Sequence, residues 1–188
     1  MAPKRVLADK HFPAFALDNP LRALSSSRHE FNRYVSAGQV AADLGCGPGY
    51  FTLALADAVG PQGIVYAVDS DPKAIAAVQR KAVRRGYTNV DARAVSASEL
   101  GFIPDASVDF ILAEGLLCSI AQAARDACVR ELHRILKPAG RAYLAAGRGS
   151  WSYMTDAAWE EILRGWQVEW RTAAAARGDY LAVVTLRA

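Results

Sequence analysis

The spacing of apolar positions changes repeatedly between Gln39 and Arg164. Val40-Ala41-Ala42-Asp43-Leu44-Gly45 is short, apolar and stopped by glycine, which predicts a buried strand. Beyond it, "YFTLALADAV" sets Phe51, Leu55 and Val59 on one helical face, closed by Gly60-Pro61. "GIVYAVDS" is a second apolar run, ending in an acid. Asp71 then suits an N-cap and Pro72 the first helical position. The helix they open is predicted to turn Ile75, Val78 and Val83 inward and to end at Gly86. Strands are predicted again at "NVDARAV" and, more apolar, at "SVDFILAEG". Gln122 to Leu136 reads as an amphipathic helix with Val129, Leu132, Ile135 and Leu136 inward. "KPAGRAYLAAG" reads as a turn at Pro138 to Gly140 leading into a fifth strand.

Strands alternating with helices at this interval require crossover connections, and so predict an α/β, doubly wound, largely parallel sheet covered on both faces. The tail departs from that rhythm. After a helix near Tyr153 to Arg164, "WQVEWRTA" and "DYLAVVTLRA" are strand patterns separated by a few residues around Arg177-Gly178-Asp179. No helix fits between them, which predicts an antiparallel hairpin at the sheet edge. Residues 1–38 lie outside the alternation and read as helical or irregular, with Phe12, Phe15, Phe31 and Tyr34 giving an apolar face. The expectation is one domain over 39–188, preceded by an N-terminal helical segment over 1–38 that acts as a lid.

Composition narrows the classes. A chain of 188 residues suffices for one full core and is short for two. With 52% hydrophobic and 22% charged residues it is an ordinary globular sequence rather than a disordered one. Lys and Arg total 22 against 19 Asp and Glu, a net charge of +3 that is too slight and too scattered to point to nucleic acid. The tightest basic knot, Arg80, Lys81, Arg84 and Arg85, reads as a solvated helix face. There is no apolar run of signal-peptide length at the N-terminus and none long enough for a membrane span. Cys46, Cys118 and Cys128 fit neither a disulfide framework nor paired zinc spacing. A cytoplasmic chain with free thiols and no metal is expected.

Asp43 to Gly49 reads "DLGCGPG", and this loop carries the chemistry. It falls between the first strand and the first helix, where open α/β sheets hold their ligands. Gly45, Gly47 and Gly49 are more glycine than a single tight turn needs, so a ligand pressed against bare backbone is expected there. Two ligand classes compete. The dinucleotide fingerprint G-x-G-x-x-G puts a third glycine where this chain has Tyr50. Asp69, 20 positions after Gly49, suits the two hydroxyls of a ribose and serves either class. Asp43, at the end of an apolar strand, needs cationic or N–H partners, which favours a ligand bearing an ammonium group over one bearing more phosphate.

"VAADLGCGPGYFT" resembles motif I of the class I S-adenosylmethionine-dependent methyltransferases, and "VYAVDSD" resembles their ribose-binding stretch. "ASELGFIPDASVDFILAEG", "RELHRILKPAGRAYLA" and the terminal hairpin are similar to their later elements, so the resemblance runs from Val40 to the C-terminus. It implies a Rossmann-like, seven-stranded sheet and S-adenosyl-L-methionine as methyl donor, with S-adenosyl-L-homocysteine as product. It also implies donor contacts from Asp43, Gly45, Cys46, Gly47, Asp69, Ser70, Ser96, Ala97 and Glu114. Ser96 stands where such proteins often carry an Asp for the adenine amino group; its hydroxyl is a weaker acceptor, and the Ala97 backbone is the alternative reader. "AEGLLCSI" lacks the Asn-Pro-Pro-Tyr type motif of the base-modifying amino methylases, which argues against DNA-adenine methylation.

Methyl transfer from a sulfonium is an in-line displacement that needs alignment and, for some acceptors, a base. Glu114, His29 and Tyr153 are the candidates for that role. Cys118 reads as a small core residue on a helix, and His133 as a surface or helix-packing residue. No large insertion separates the strands, so a small-molecule acceptor is expected, held by the N-terminal segment, residues 114–120 and "GRGSWSYM". A methyltransferase acting on RNA or protein is the second reading, and a nicotinamide-dependent oxidoreductase the third.

Overall fold

The computed structural model describes residues 31–147, 152–172 and 179–187. Seven strands form one sheet: β1 (Val40–Leu44), β2 (Ile64–Asp69), β3 (Val90–Ala94), β4 (Val108–Glu114), β5 (Leu136–Gly147), β6 (Trp166–Arg171) and β7 (Asp179–Leu186). Their spatial order is β3-β2-β1-β4-β5-β7-β6. The first five are parallel to one another, and β7 runs antiparallel to both β5 and β6. The crossovers are α1 (Thr52–Val59), α2 (Pro72–Arg85) and α4 (Gln122–Ile135), with a short α3 (Leu116–Ser119) after β4 and α5 (Asp156–Arg164) before the hairpin. Strand order reverses between β1 and β4, which places the switch point at the glycine loop.

Both faces of the sheet are buried, and side-chain alternation assigns them. Ala41, Phe110, Leu112, Tyr143 and Val183 pack with Phe31 and α1 on one face. Ala42, Ile111, Ala113, Leu144 and Val184 pack with α4, α5 and Trp166 on the other. Burying such strands on two sides is what makes their runs nearly continuous in apolar residues.

The local signals hold in α2. Asp71 caps it by accepting the Lys73 N–H at 2.8 Å, and Gly86 ends it in the left-handed region at φ 72°. Val83, expected inward, is instead 79% exposed. The buried stripe is Ala74, Ile75, Val78 and Ala82, and Val83 stands one residue, about 100°, round the helix from it. Two boundaries also move. Tyr50 and Phe51 belong to the loop before α1, and the expected turn at Pro138 to Gly140 is a bulged part of β5, whose register shifts opposite Val108 and Phe110. Thr155 caps α5 by accepting the Ala158 N–H, so that helix begins at Asp156 rather than Tyr153.

Candidate active site

The glycine loop folds inward. The N–H groups of Gly45 and Cys46 both donate to the Val68 carbonyl, at 2.8 and 3.0 Å, and Gly49 N–H donates to the Cys46 carbonyl at 3.0 Å. Gly47 N–H donates to Asp69 Oδ2 at 2.8 Å. The N–H groups of these four loop positions are thus taken up by the protein itself. All three glycines have positive φ, 73° at Gly45, 50° at Gly47 and 86° at Gly49. A Cβ on Gly45 would lie 3.0 Å from Leu116 Cβ, and one on Gly49 2.9 Å from Val78 Cγ2. The glycine count is thus set in part by backbone conformation and by the closeness of α3 and α2.

Carboxylates gather around this loop. Asp43 is 2% exposed and accepts the Thr52 hydroxyl at 2.6 Å. Asp69 ends β2 half-buried; beyond its bond to Gly47, its Oδ1 accepts the Asp71 N–H at 2.9 Å. Glu114 ends β4, half-buried, beside β5. Cys46 reports the local field: burial raises its thiol well above the ordinary value, and the negative charges of Asp43 and Asp69 raise it further. Such a loop, with spent N–H donors and negative surroundings, is a poor cradle for pyrophosphate. It suits a ligand that carries positive charge and hydroxyls, as a sulfonium amino acid joined to a ribose does.

The other expected positions lie around the same end of the parallel strands. Ser70 follows β2 and is exposed. Ser96 and Ala97 lie in the loop after β3. The Ser96 oxygen accepts the Ser98 N–H at 3.2 Å and lies 2.7 Å from the Ser98 hydroxyl, a local turn that draws it toward its own loop. Among the described residues no protein hydrogen bond takes up the Ala97 N–H. Tyr153 N–H donates to the Cys118 carbonyl at 2.8 Å, joining the segment after β5 to α3. The Cys118 side chain is fully buried on α3, as expected of a core residue. His29, Trp151, Phe12 and Phe15 lie outside the described residues.

A profile of the methyltransferase domain family matches residues 41–140, more than half of the 188-residue chain. The chain belongs to the class I S-adenosylmethionine-dependent methyltransferases. Demethylmenaquinone methyltransferase of Geobacillus stearothermophilus is 35% identical to it over 106 residues, which are 56% of this chain and 44% of that one. The chain therefore spans less than half the length of that relative. An S-adenosylmethionine-dependent methyltransferase from Aquifex aeolicus superposes with a TM-score of 0.77 at 21% identity, covering 94% of this chain and 100% of its own. A TehB-like S-adenosylmethionine-dependent methyltransferase from Corynebacterium glutamicum gives 0.73 at 18% identity, covering 93% and 98%. At those identities the likeness is one of fold.

Three residues of this methyltransferase domain escaped the sequence reading. Lys81 was grouped with a solvated basic face, yet its Nζ donates to the Pro48 carbonyl at 2.9 Å and so ties α2 to the glycine loop. Arg80, Arg84 and Arg85 are exposed as expected. Arg125 is 6% exposed, and its guanidinium Nη1 donates to the Leu117 carbonyl at 3.5 Å. It shares the inward stripe of Cys128, Leu132 and Ile135, and that i, i+3, i+7 spacing was the signal for it. Thr52, fully buried, is the first residue of α1, and only that place at the helix start beside Asp43 could have signalled it.

Proposed function

We propose that the protein transfers a methyl group from S-adenosyl-L-methionine to a small-molecule acceptor. The observation that carries the donor half is the glycine loop, whose N–H groups turn into the protein while Asp43, Asp69 and Glu114 surround it. Asp69 would take the ribose hydroxyls, the Ser96–Ala97 turn the adenine edge, and the Asp43, Gly45 to Gly47 and Glu114 region the methionine end. The donor, when bound, supplies an activated methyl group on a sulfonium. The chain's own part is to hold the acceptor in line and keep water out, with Glu114, His29 and Tyr153 the candidates for accepting a proton. A small acceptor is supported by the short connections between strands. Among the described residues, the longest stretch between elements is residues 95–107. The Geobacillus relative, named for a quinone-type acceptor, points the same way.

Thermal shift separates the ligand classes, because a ligand that binds only the native state raises the melting point. S-adenosylmethionine and S-adenosylhomocysteine are expected to raise it, and NAD to leave it unchanged. A shift with NAD and none with S-adenosylhomocysteine refutes the reading.

The acceptor side includes a further proposed element, the segment 1–38 as a lid. Its described end is anchored: Phe31 is fully buried between Phe51 and Phe110, with ring centroids at 5.7 and 6.3 Å. Deleting residues 1–25 leaves that anchor in place. Donor affinity is then expected to hold within a few-fold while methyl transfer is lost. Joint loss of stability and donor binding rules the lid out.

A further inference from the structure

Between β3 and β4 the chain runs through residues 95–107 without helix or strand, a length that in compact domains usually signals a functional loop. Leu100 and Ile103 are fully buried and Ala97 nearly so, so the loop enters the core and its backbone must find internal partners. Two of its own turns help, with Glu99 N–H on the Ser96 carbonyl at 2.9 Å and Ile103 N–H on the Leu100 carbonyl at 2.8 Å. One turn of α4 supplies further partners. Glu131 Oε2 accepts the Leu100 N–H at 2.8 Å. Arg134 Nη2 donates to the Leu100 carbonyl at 2.8 Å, and its Nη1 to the Ile103 carbonyl at 2.9 Å. The same guanidinium grips Glu131 through Nε at 2.9 Å and Nη2 at 2.8 Å, and pairs with Asp105.

This is more than an i, i+3 ion pair on a helix surface, where such pairs add only a few tenths of a kcal/mol. Both charges are aimed at the two polar groups of a single peptide segment, three residues beyond Ala97. Arg134 uses all three of its nitrogens, which a lysine cannot imitate. The Glu131 carboxyl is held below the usual range, first by its hydrogen bonds from Arg134, so it stays ionised for this task.

We propose that Glu131 and Arg134 are positioning residues for the adenine end of the donor, setting the turn that presents the Ala97 N–H. The inference rests on the donor reading above. Its physical content is preorganisation: a turn already fixed in the free protein need not be ordered when the ligand arrives. A backbone N–H seeks an acceptor, which adenine offers at its ring nitrogen. S-inosylhomocysteine offers an N–H there instead, so the intact protein should bind S-adenosylhomocysteine at least about tenfold more tightly.

The test compares full-length Glu131→Gln and Arg134→Lys with the unaltered protein. Calorimetry is run with both nucleosides, and hydrogen exchange of the 97–103 amides in the free protein. Both substitutions keep bulk, and Arg134→Lys also keeps charge. The expected result is faster exchange in the loop and about tenfold weaker S-adenosylhomocysteine binding. S-inosylhomocysteine should lose less, so that the preference narrows. Equal weakening of both ligands shows a role in stability alone and overturns the proposal, as does unchanged loop exchange. If the unaltered protein binds neither nucleoside, the donor reading fails and takes this proposal with it. The exchange data then still report separately on whether the clamp holds the loop.

Discussion

Replacing Asp69 separates what its carboxylate does for the fold from what it does for a ligand. One oxygen accepts the Gly47 N–H at 2.8 Å and the other the Asp71 N–H at 2.9 Å. Each oxygen keeps a second lone pair, and two ribose hydroxyls can donate to those. Hydrogen bonds to a charged group contribute about 1.5–3 kcal/mol each. Two on one carboxylate are not additive, so the pair is taken at about 2–4 kcal/mol, or roughly 30- to 1000-fold in affinity. Asp69→Asn removes the charge yet leaves an oxygen for one N–H, and should lose most of that affinity with a modest fall in stability. Asp69→Ala orphans both N–H groups and should also lower stability by about 1–3 kcal/mol, roughly 2–10 °C in Tm for a domain of this size. Calorimetry with S-adenosylhomocysteine and urea unfolding read the two effects apart. If Asp69→Asn binds within twofold of the unaltered protein, the acid merely braces the glycine loop and the ribose is read elsewhere.

Two further outcomes follow from buried groups. All three thiols are buried, and burial raises each, Cys128 to about 12; at pH 8 the native protein should therefore react with no equivalent of a disulfide reagent within minutes, and with three in urea. A fast native equivalent contradicts the burial of at least one of them. His133 stacks on Trp166 at 3.7 Å between ring centroids, and burial lowers its pKa below the ordinary 6.5. The unfolded chain then binds a proton more readily than the folded one, so its contribution to stability is complete above about pH 6.5 and is lost as pH falls through the folded value. His133→Gln should flatten the difference in urea midpoint between pH 7.5 and 5.5, and an unchanged difference refutes the assignment.

Much of this was legible in the chain. Strand and helix order, the cap at Asp71, the stop at Gly86 and the terminal hairpin follow from local rules, because each signal acts within a few residues. The site was legible as positions rather than as interactions. Asp69 could be marked as an acid after the second strand, but its grip on Gly47 spans 22 residues and depends on how β1 and β2 align. Lys81 looked like its exposed neighbours because composition cannot tell which one of four cations leans over the loop. Glu131 and Arg134 are spaced like any helix-surface pair, and nothing local says that their charges point at Leu100. The Ser96–Ser98 bond is local, spanning two residues, and was missed for the opposite reason: a short serine turn leaves no mark on period or cap. Long-range partners escape a reading built on periods and caps.

The place of β7 has a consequence for how the chain is made. β6 is synthesised before β7 but lies outside it, and its pairing in the sheet is with β7 alone. Until residues 179–186 have left the ribosome, β5 presents a long open edge and β6 has no strand to join. The Ala182, Val183 and Val184 segment is fully buried in the finished sheet, so a nascent chain halted before it exposes the apolar surface those residues cover. Ribosome stalling just ahead of β7 should thus produce an aggregation-prone species that engages chaperones, even though the glycine loop and the whole parallel half are already complete.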